Sequence, residues 1–184
     1  MTTSYARRSA GELVDGTRQS PRERQLARGV FAALRIVLGF TFFWAFLDKL
    51  FGLGYATPSA KAWINGGSPT KGFLANSADG AFAGFYKDIA GAGWADWLFM
   101  LGLAGIGAAL LLGVGMRAAA VSGTVLYLMM WSVVLPPETN PVVDDHIIGA
   151  LAIIALALVH AGDTFGLGRW WKQQPIVQQN RWLI

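Results

Sequence analysis

The chain has 184 residues, of which 54% are hydrophobic and 14% are charged, and its formal net charge at pH 7 is +4. This length and composition fit one small domain integral to a membrane. Because the sequence contains no cysteine, disulfides, thiolate metal sites and iron–sulfur clusters supplied by this chain are excluded.

Four predominantly apolar runs predict helices that cross a bilayer, whose hydrocarbon core is about 30 Å thick. The runs are residues 29–47, 97–116, 118–135 and 147–161. We therefore predict an all-α fold, a polytopic membrane four-helix bundle with an extracytoplasmic cap between helices 1 and 2. The predicted divisions are a basic cytoplasmic arm (1–28), a four-helix membrane domain (29–172) with its outer cap at 52–94, and a cytoplasmic tail (173–184).

The basic residues are concentrated at one end of the predicted bundle. Residues 1–28 hold six arginines, whereas the connection at 136–146 has three carboxylates and no Lys or Arg. The positive-inside rule then predicts a multi-pass protein of a cytoplasmic membrane with both termini in the cytoplasm. Because the basic residues form no single stripe, we expect the lipid membrane and not nucleic acid as the partner.

The connection between the first two runs has structural signals of its own. Thr57 followed by Pro58 predicts a helix start, and Gly66 predicts its end. Phe82, Phe85, Tyr86 and Ile89 recur at helical spacing, as in an amphipathic interfacial helix. Further on, Gly105, Ala109 and Gly113 in the second run make a small-residue stripe, which favours close helix packing.

Polar residues cluster at the predicted outer ends of the helices. Asp48 and Lys49 close the first run, and Asp145 and His146 open the fourth, where Asp145 shares a face with Gly149 and should point into the bundle. These four are the candidate catalytic residues. The candidate substrate- or quinone-binding residues around them are Trp44, Trp63, Lys71, Tyr127 and Trp131. An aromatic pocket with a few polar groups is typical of a small-molecule site, although such charges also mark where helices leave the lipid.

Arg35 is the charge deepest inside a predicted span, and His160 lies near the same inner level. An arginine at that depth is a functional hypothesis by default. The two form a candidate inner-leaflet polar pair for a quinone carbonyl or a lipid phosphate; the alternative is a structural pair that includes Asp163. A shared metal is not expected, because His146 and His160 are about 21 Å apart along one helix.

Three segments resemble the DoxX/DoxD family of four-helix prokaryotic membrane proteins. They are residues 47–54 (LDKLFGLG), 62–74 (AWINGGSPTKGFL) and 140–148 (NPVVDDHII). The resemblance implies a membrane subunit of a quinone-linked oxidoreductase that passes electrons from thiosulfate to quinone, together with a second oxidoreductase subunit. If the reaction of the family is carried over to this chain, the resemblance implies that Lys49 and Lys71 attract thiosulfate. It also implies that His146 with Asp145 exchanges the protons of the quinone. Menaquinone or ubiquinone is then the substrate, and no metal or flavin is expected.

A different class of function is left open by the same sequence. The chain carries no recognisable cofactor motif, which fits a non-catalytic accessory subunit of a respiratory or oxidative-stress membrane complex. In that case the small-residue stripe of the second run contacts another chain or, in a homo-oligomer, a second copy. The basic arm then serves as a cytoplasmic tether.

Overall fold

The computed structural model describes residues 20–138 and 140–184, and within them every regular element is a helix. Most of the predicted basic arm, residues 1–19, lies outside the described residues. The α-helices in chain order are α1 Pro21–Phe51, α2 Lys71–Asn76, α3 Ala83–Ile89, α4 Gly93–Leu112, α5 Met116–Val133, α6 Asp145–Leu158, α7 Gly168–Trp171 and α8 Pro175–Gln179.

Helix α1 begins eight residues before the predicted boundary at 29. Its start is a capping box: the backbone N–H of Glu23 donates to the Ser20 hydroxyl at 3.2 Å, and the Ser20 N–H donates to the Glu23 carboxylate at 2.7 Å. Pro21 occupies the first helical position, where its missing N–H costs nothing. Residues 21–28, which the sequence assigns to the basic arm, are therefore helical and continuous with the first apolar run.

Among the residues that the structure describes, three helices, α1, α4 and α5, are long and apolar enough to cross a membrane. They support a membrane location. The fourth predicted crossing coincides with α6, which has 14 residues and so rises about 21 Å, less than the core of a bilayer. After α6 the chain turns at His160, whose φ is +52°. A crossing at residues 147–161 therefore stays a prediction.

The long helices pack in the order α1, α4, α5, α6, with α6 returning to α1. Between them lies one apolar core, to which each contributes; its members include Phe42, Leu103, Leu110, Ala119, Ile153 and Leu156. Large apolar side chains also cover the outside, with Val37, Leu101 and Leu151 each at least 59% exposed. Such an outer surface suits lipid and is unusual for a water-soluble monomer.

Helices α1 and α4 pack closely through two glycines. A Cβ atom added at Gly107 would lie 2.6 Å from the backbone nitrogen of Phe43, and one added at Gly39 would lie 2.8 Å from that of Leu111. Gly105, by contrast, has open space where its Cβ would be. The packing face of α4 thus passes through Gly107, and the predicted stripe is wrong at Gly105.

Residues 52–92 join α1 to α4 and are called the cap below. Two short 3-10 helices, Ser59–Lys61 and Trp63–Asn65, replace the single helix predicted at 58–65, and the second ends at Gly66 with φ +85°. The predicted amphipathic helix is α3. Its Tyr86 is buried and packs with Leu74 against Val133 at the end of α5, so the cap rests on the α4–α5 side.

The predicted tail, residues 173–184, packs back on the helices at the end opposite the cap. Val177 of α8 is fully buried. The Trp171 indole donates to the carbonyl of Leu183 at 2.7 Å, and the Arg117 N–H donates to the carbonyl of Ile184 at 2.9 Å. The second of these bonds gives the Arg117 N–H, at the start of α5, a backbone acceptor in the tail.

Candidate functional site

Two buried carboxylates attach the cap to the long helices. Asp48, 2% exposed, accepts hydrogen bonds from the backbone N–H groups of Tyr55 at 3.2 Å and Ala56 at 3.0 Å. It thereby folds the chain back at the end of α1. These bonds make Asp48, a predicted catalytic residue, an anchor for the turn.

The second anchor is Asp96, in the first turn of α4. One of its oxygens accepts hydrogen bonds from the Ser68 hydroxyl at 2.8 Å, the Thr70 hydroxyl at 2.5 Å and the Thr70 N–H at 3.2 Å. Thr70 also accepts from the N–H of Gly91 at 3.3 Å. Both ends of the α2–α3 region are therefore held at the start of α4.

Lys49 is half-buried between these anchors. Within the described residues its ammonium group forms no hydrogen bond and no ion pair, because the neighbouring Asp48 carboxylate is already used by backbone donors. Lys49 lies in the walls of two different cavities. It is the polar group that those cavities share.

The first cavity, called the apolar cavity, encloses about 240 Å³ between the cap and helices α4 and α5. Its walls include Lys49, Phe73, Tyr86, Phe99, Leu126 and Met130. The rim is formed by exposed apolar side chains: Phe85 is 58% exposed, Trp94 60% and Leu98 62%. The cavity therefore opens through apolar side chains on the outer surface.

The second cavity, called the lysine groove, is wider and polar, with a volume of about 900 Å³. Lys49, Lys61 and Lys71 line it together with backbone and side-chain groups of the cap. Within the described part of the chain, its walls include no carboxylate. The groove is thus positive, and Lys49 stands between it and the apolar cavity.

His146 belongs to a separate cluster at the start of α6. Its Nδ1 is 2.6 Å from an oxygen of Asp144, and its ring contacts Tyr127 edge-on at 6.0 Å between centroids. Burial raises the pKa of the Asp144 carboxyl, but the hydrogen bond and charge of His146, with the N–H groups of Ile147 and His146, bring the pKa below its usual value. Asp144 is the N-cap of α6.

Asp145 is exposed at the first residue of α6. The expectation that it points into the bundle is therefore wrong. The physical reason is that Asp144, one residue earlier, turns its side chain onto the helix end to accept from the N–H groups of His146 and Ile147. Helix α6 then starts with Asp145 on its outer side.

The aromatic candidates are distributed over three places. Trp44 packs edge-on against Tyr55 and Trp63 against Trp97, with centroid distances of 5.1 and 4.6 Å. The Trp131 indole donates to the carbonyl of Val142 at 2.7 Å. In the described part of the chain, neither cavity is lined by Trp44, Trp63, Tyr127, Trp131, Asp145 or His146. The single pocket predicted for them is thus divided, and of the predicted set Lys49 and Lys71 share a groove.

Arg35 is fully buried and donates to four backbone carbonyls. They are Leu110 and, at 3.0 Å, Leu111 at the end of α4, with Thr164 at 3.3 Å and Phe165 at 2.8 Å. A helix end leaves its last carbonyls without intrahelical partners, and a cation there is favourable. In the described residues no hydrogen bond joins Arg35 to His160, which is exposed, so the predicted polar pair does not form.

Asp96, Thr70 and Tyr86 carry contacts that were not predicted from the sequence. The roles of Ser68, Thr70 and Asp96 have a signal in the local sequence. Ser68 and Thr70 are hydroxyl residues on either side of Pro69, as is common in turns, and Asp96 is an acidic residue in the first turn of a helix, where a negative charge is favourable. The Tyr86 hydroxyl lies 2.5 Å from that of Ser132. This contact spans 46 residues and has no local pattern.

Comparisons with family models, curated proteins and solved structures find no match to this chain. The resemblance to the DoxX/DoxD family therefore stays a prediction. Among the residues that the structure describes, no three His, Asp or Glu side chains come together as a metal ion would require. What the site offers is a lysine between an apolar cavity and a positive groove.

Proposed function

We propose that this chain is a membrane subunit of a quinone-linked oxidoreductase that takes electrons from a small sulfur oxyanion, with thiosulfate as the first candidate. The observation that carries the proposal is the position of Lys49, which borders both the apolar cavity and the lysine groove. One substrate must be flat and apolar and the other must be anionic. A quinone and an oxyanion have these properties.

The quinone head group occupies the apolar cavity. Its volume of about 240 Å³ is below the roughly 300–1,000 Å³ of sites that enclose a drug-sized ligand. The cavity therefore suits a ring with its polyprenyl tail outside, and the apolar rim at Trp94 and Leu98 provides the route for that tail. Lys49 is the donor available to a quinone carbonyl.

The oxyanion binds in the lysine groove, which water reaches from the cap side. Lys61 and Lys71 are exposed, and each contributes modest attraction in water. Lys49 is less exposed, so its charge is screened less. The anion is thereby held on the opposite side of Lys49 from the quinone.

In the proposed reaction thiosulfate and quinone balance the electrons, and water supplies the protons. Two thiosulfate dianions each lose one electron and join through a new sulfur–sulfur bond, which gives one tetrathionate dianion. The quinone accepts these two electrons and two protons and becomes a quinol. Lys49 donates a proton to a quinone oxygen and recovers it from water in the lysine groove, which also supplies the second proton.

The membrane topology belongs to the same proposal. Helix α6 and the residues that follow it, up to 161, form a fourth crossing, with the cap outside and both termini in the cytoplasm of a prokaryote. The apolar surfaces of α1, α4 and α5 and the arginine-rich ends support this arrangement. Membership in the DoxX/DoxD family is proposed on the three segments quoted above.

Quinone binding is the direct test. Purified protein in detergent is titrated with a short-tailed quinone, and binding is followed through quenching of tryptophan fluorescence. Leu126→Trp places a larger ring in the wall of the apolar cavity, whereas Leu128→Trp adds the same ring to the exposed surface of the same helix. We expect Leu126→Trp alone to weaken binding.

Activity is measured on the same proteins as thiosulfate-dependent quinone reduction, with and without any chain that co-purifies. Equal binding by the two tryptophan variants, or no binding by the native chain, would contradict the proposal. Binding without turnover in either preparation would retain the quinone site and reject the oxyanion donor.

A non-catalytic accessory subunit is the second candidate. Gly105 lies on the exposed side of α4 with open space around it, and such a position lets a helix of another chain approach closely. Because the chain lacks cysteine, a single cysteine at position 105 reports the contact. Disulfide cross-linking there to a co-purifying chain, or to a second copy, favours the accessory role if quinone binding is absent.

A further inference from the structure

A groove of about 410 Å³ lies at the end of the molecule opposite the cap. The beginning of α1 forms one wall with Arg24 and Arg28, which are one helical turn apart. The other wall is formed by the segment between α6 and α7, with His160, and by Arg169 of α7. We call it the arginine groove. It is distinct from the apolar cavity and the lysine groove.

The charge of the arginine groove is not neutralised by its own walls. Arg24, Arg28 and Arg169 are exposed, and within residues 20–138 and 140–184 they form no ion pair. One carboxylate, that of Asp163, lies among them. The Lys172 ammonium already donates to it at 2.7 Å, so three guanidinium groups remain available to an anion.

Apolar side chains surround the same groove. Phe31 and Val159 line it. Val159 is 46% exposed, and Leu158, which precedes it in the chain, is 75% exposed. The three arginines therefore lie where an apolar surface ends. A ligand that matches both features carries a negative group beside hydrocarbon chains.

We propose that the arginine groove binds the phosphate group of an anionic phospholipid. A guanidinium group presents two parallel N–H donors that match two phosphate oxygens, which makes arginine well suited to this group. Basic pockets between membrane helices bind lipid head groups by the same chemistry. Phe31 and Val159 contact the upper part of an acyl chain, which a free phosphate ion lacks.

The experiment compares lipid retention by full-length protein variants. Each is purified in mild detergent, mixed with phosphatidylglycerol and phosphatidylcholine, and examined by native mass spectrometry. Arg28→Gln/Arg169→Gln removes two charges from the groove. Arg22→Gln/Lys87→Gln removes two charges from exposed positions outside its walls and is the matched control. Circular dichroism checks that both fold, as expected for exposed side chains.

We expect phosphatidylglycerol affinity to fall about fivefold for each arginine removed from the groove, and about thirtyfold for both, since a basic residue near a lipid head group contributes about 1 kcal/mol. The control should retain the lipid nearly as well as the native chain. Equal losses in the two variants would show diffuse attraction and overturn the proposal. So would retention of phosphatidylcholine at the same level.

Titration calorimetry with inorganic phosphate and with glycerol phosphate shows whether the ligand of the groove is a phospholipid or a free anion. Both should bind much more weakly than phosphatidylglycerol, because they lack acyl chains. If inorganic phosphate binds as tightly and displaces the lipid, the groove is a site for a free anion, and the proposal for a lipid is wrong.

Discussion

The Thr70 hydroxyl donates a hydrogen bond to the Asp96 carboxylate across 2.5 Å, although 26 residues separate the two in the chain. Asp96 is 6% exposed and accepts all three of its bonds through one oxygen. At the start of α4, the cap is therefore held by one buried carboxylate, whereas Asp48 holds it at the end of α1. The wall of the apolar cavity depends on Asp96 as well, because Thr70 and the neighbouring Pro69 line that cavity.

Replacing Asp96 should loosen the cap. Hydrogen bonds to a charged group contribute about 1.5–3 kcal/mol. We therefore expect Asp96→Ala to lower the free energy of unfolding by about 3 kcal/mol, Thr70→Val by about 2 and Ser68→Ala by about 1. Thermal unfolding in detergent gives the order, and limited proteolysis shows whether the cap opens first. If Ser68→Ala were as costly as Asp96→Ala, the shared carboxylate would not be the anchor.

A methyl group at Gly107 should separate α1 from α4. Its Cβ would lie 2.6 Å from a backbone atom of Phe43, which cannot move without moving the helix. Overpacking of this kind costs about 1–3 kcal/mol, so Gly107→Ala should lower the unfolding temperature. Gly105→Ala is the control on the same helix and should be neutral or slightly stabilising, because alanine is the better helix former.

The three lysines of the lysine groove should differ in their kinetic roles. Lys61→Met and Lys71→Met remove exposed attraction for the anion, so each should raise KM for thiosulfate by about two- to fivefold and leave kcat nearly unchanged. Lys49→Met should lower kcat too, since Lys49 also faces the quinone. Lys87→Met serves as the control. High salt should reduce the effects at Lys61 and Lys71; a uniform change in kcat for all three would contradict the division of roles.

Asp144 should make the start of α6 sensitive to acid. Because the pKa of its carboxyl is lower in the folded chain than the usual 3.8, its contribution is fully present above pH 3.8 and is lost as the pH falls through the folded pKa. At neutral pH, Asp144→Ala should cost about 1 kcal/mol, as for other N-caps. Asp144→Asn keeps a cap without the charge.

Unfolding temperatures of the native chain and the two Asp144 variants, measured from neutral pH downwards, check this expectation. At neutral pH the native chain should unfold at a higher temperature than Asp144→Asn, and this difference should disappear in acid. A difference that grew as the pH fell would reverse the sign of the linkage and contradict the ion pair with His146.

The helical character of the fold was predictable from the sequence because its signals are local. Apolar runs place α1, α4 and α5, and the spacing of Phe82, Tyr86 and Ile89 places α3. The arginines at 22, 24 and 28 favour a basic arm over residues 1–28, whereas Ser20, Pro21 and Glu23 are the signal of a helix start, and α1 begins there. Charge density is thus a weaker guide to a helix boundary than a capping box.

The site was predictable only in part. Lys49 and Lys71 were expected on one surface, and the structure brings them to one groove. His146 and Asp145 were grouped with them because all lie at helix ends on the cap side. Side chains at helix ends on the same side of the molecule need not meet. Asp48 accepts a hydrogen bond from the N–H of Tyr55, and His146 is hydrogen-bonded to Asp144 at the start of α6, so the two groups have separate partners. Side-chain hydrogen bonds of this kind depend on rotamers and tertiary contacts, which a periodic pattern does not contain.

The carbonyls held by Arg35 come 75 to 130 residues later in the chain, which has a consequence for biogenesis. When α1 leaves the ribosome, its arginine has none of these four acceptors, and an arginine at the centre of a membrane helix costs about 2.5–3.5 kcal/mol on insertion scales. Arg35 must then stay near the head groups until α4 arrives, and it reaches its final bonds only after residues 164 and 165 are made. Arg35 thus has its full set of acceptors only after residue 165 is made, and a chain that ends before Thr164 lacks two of the four bonds.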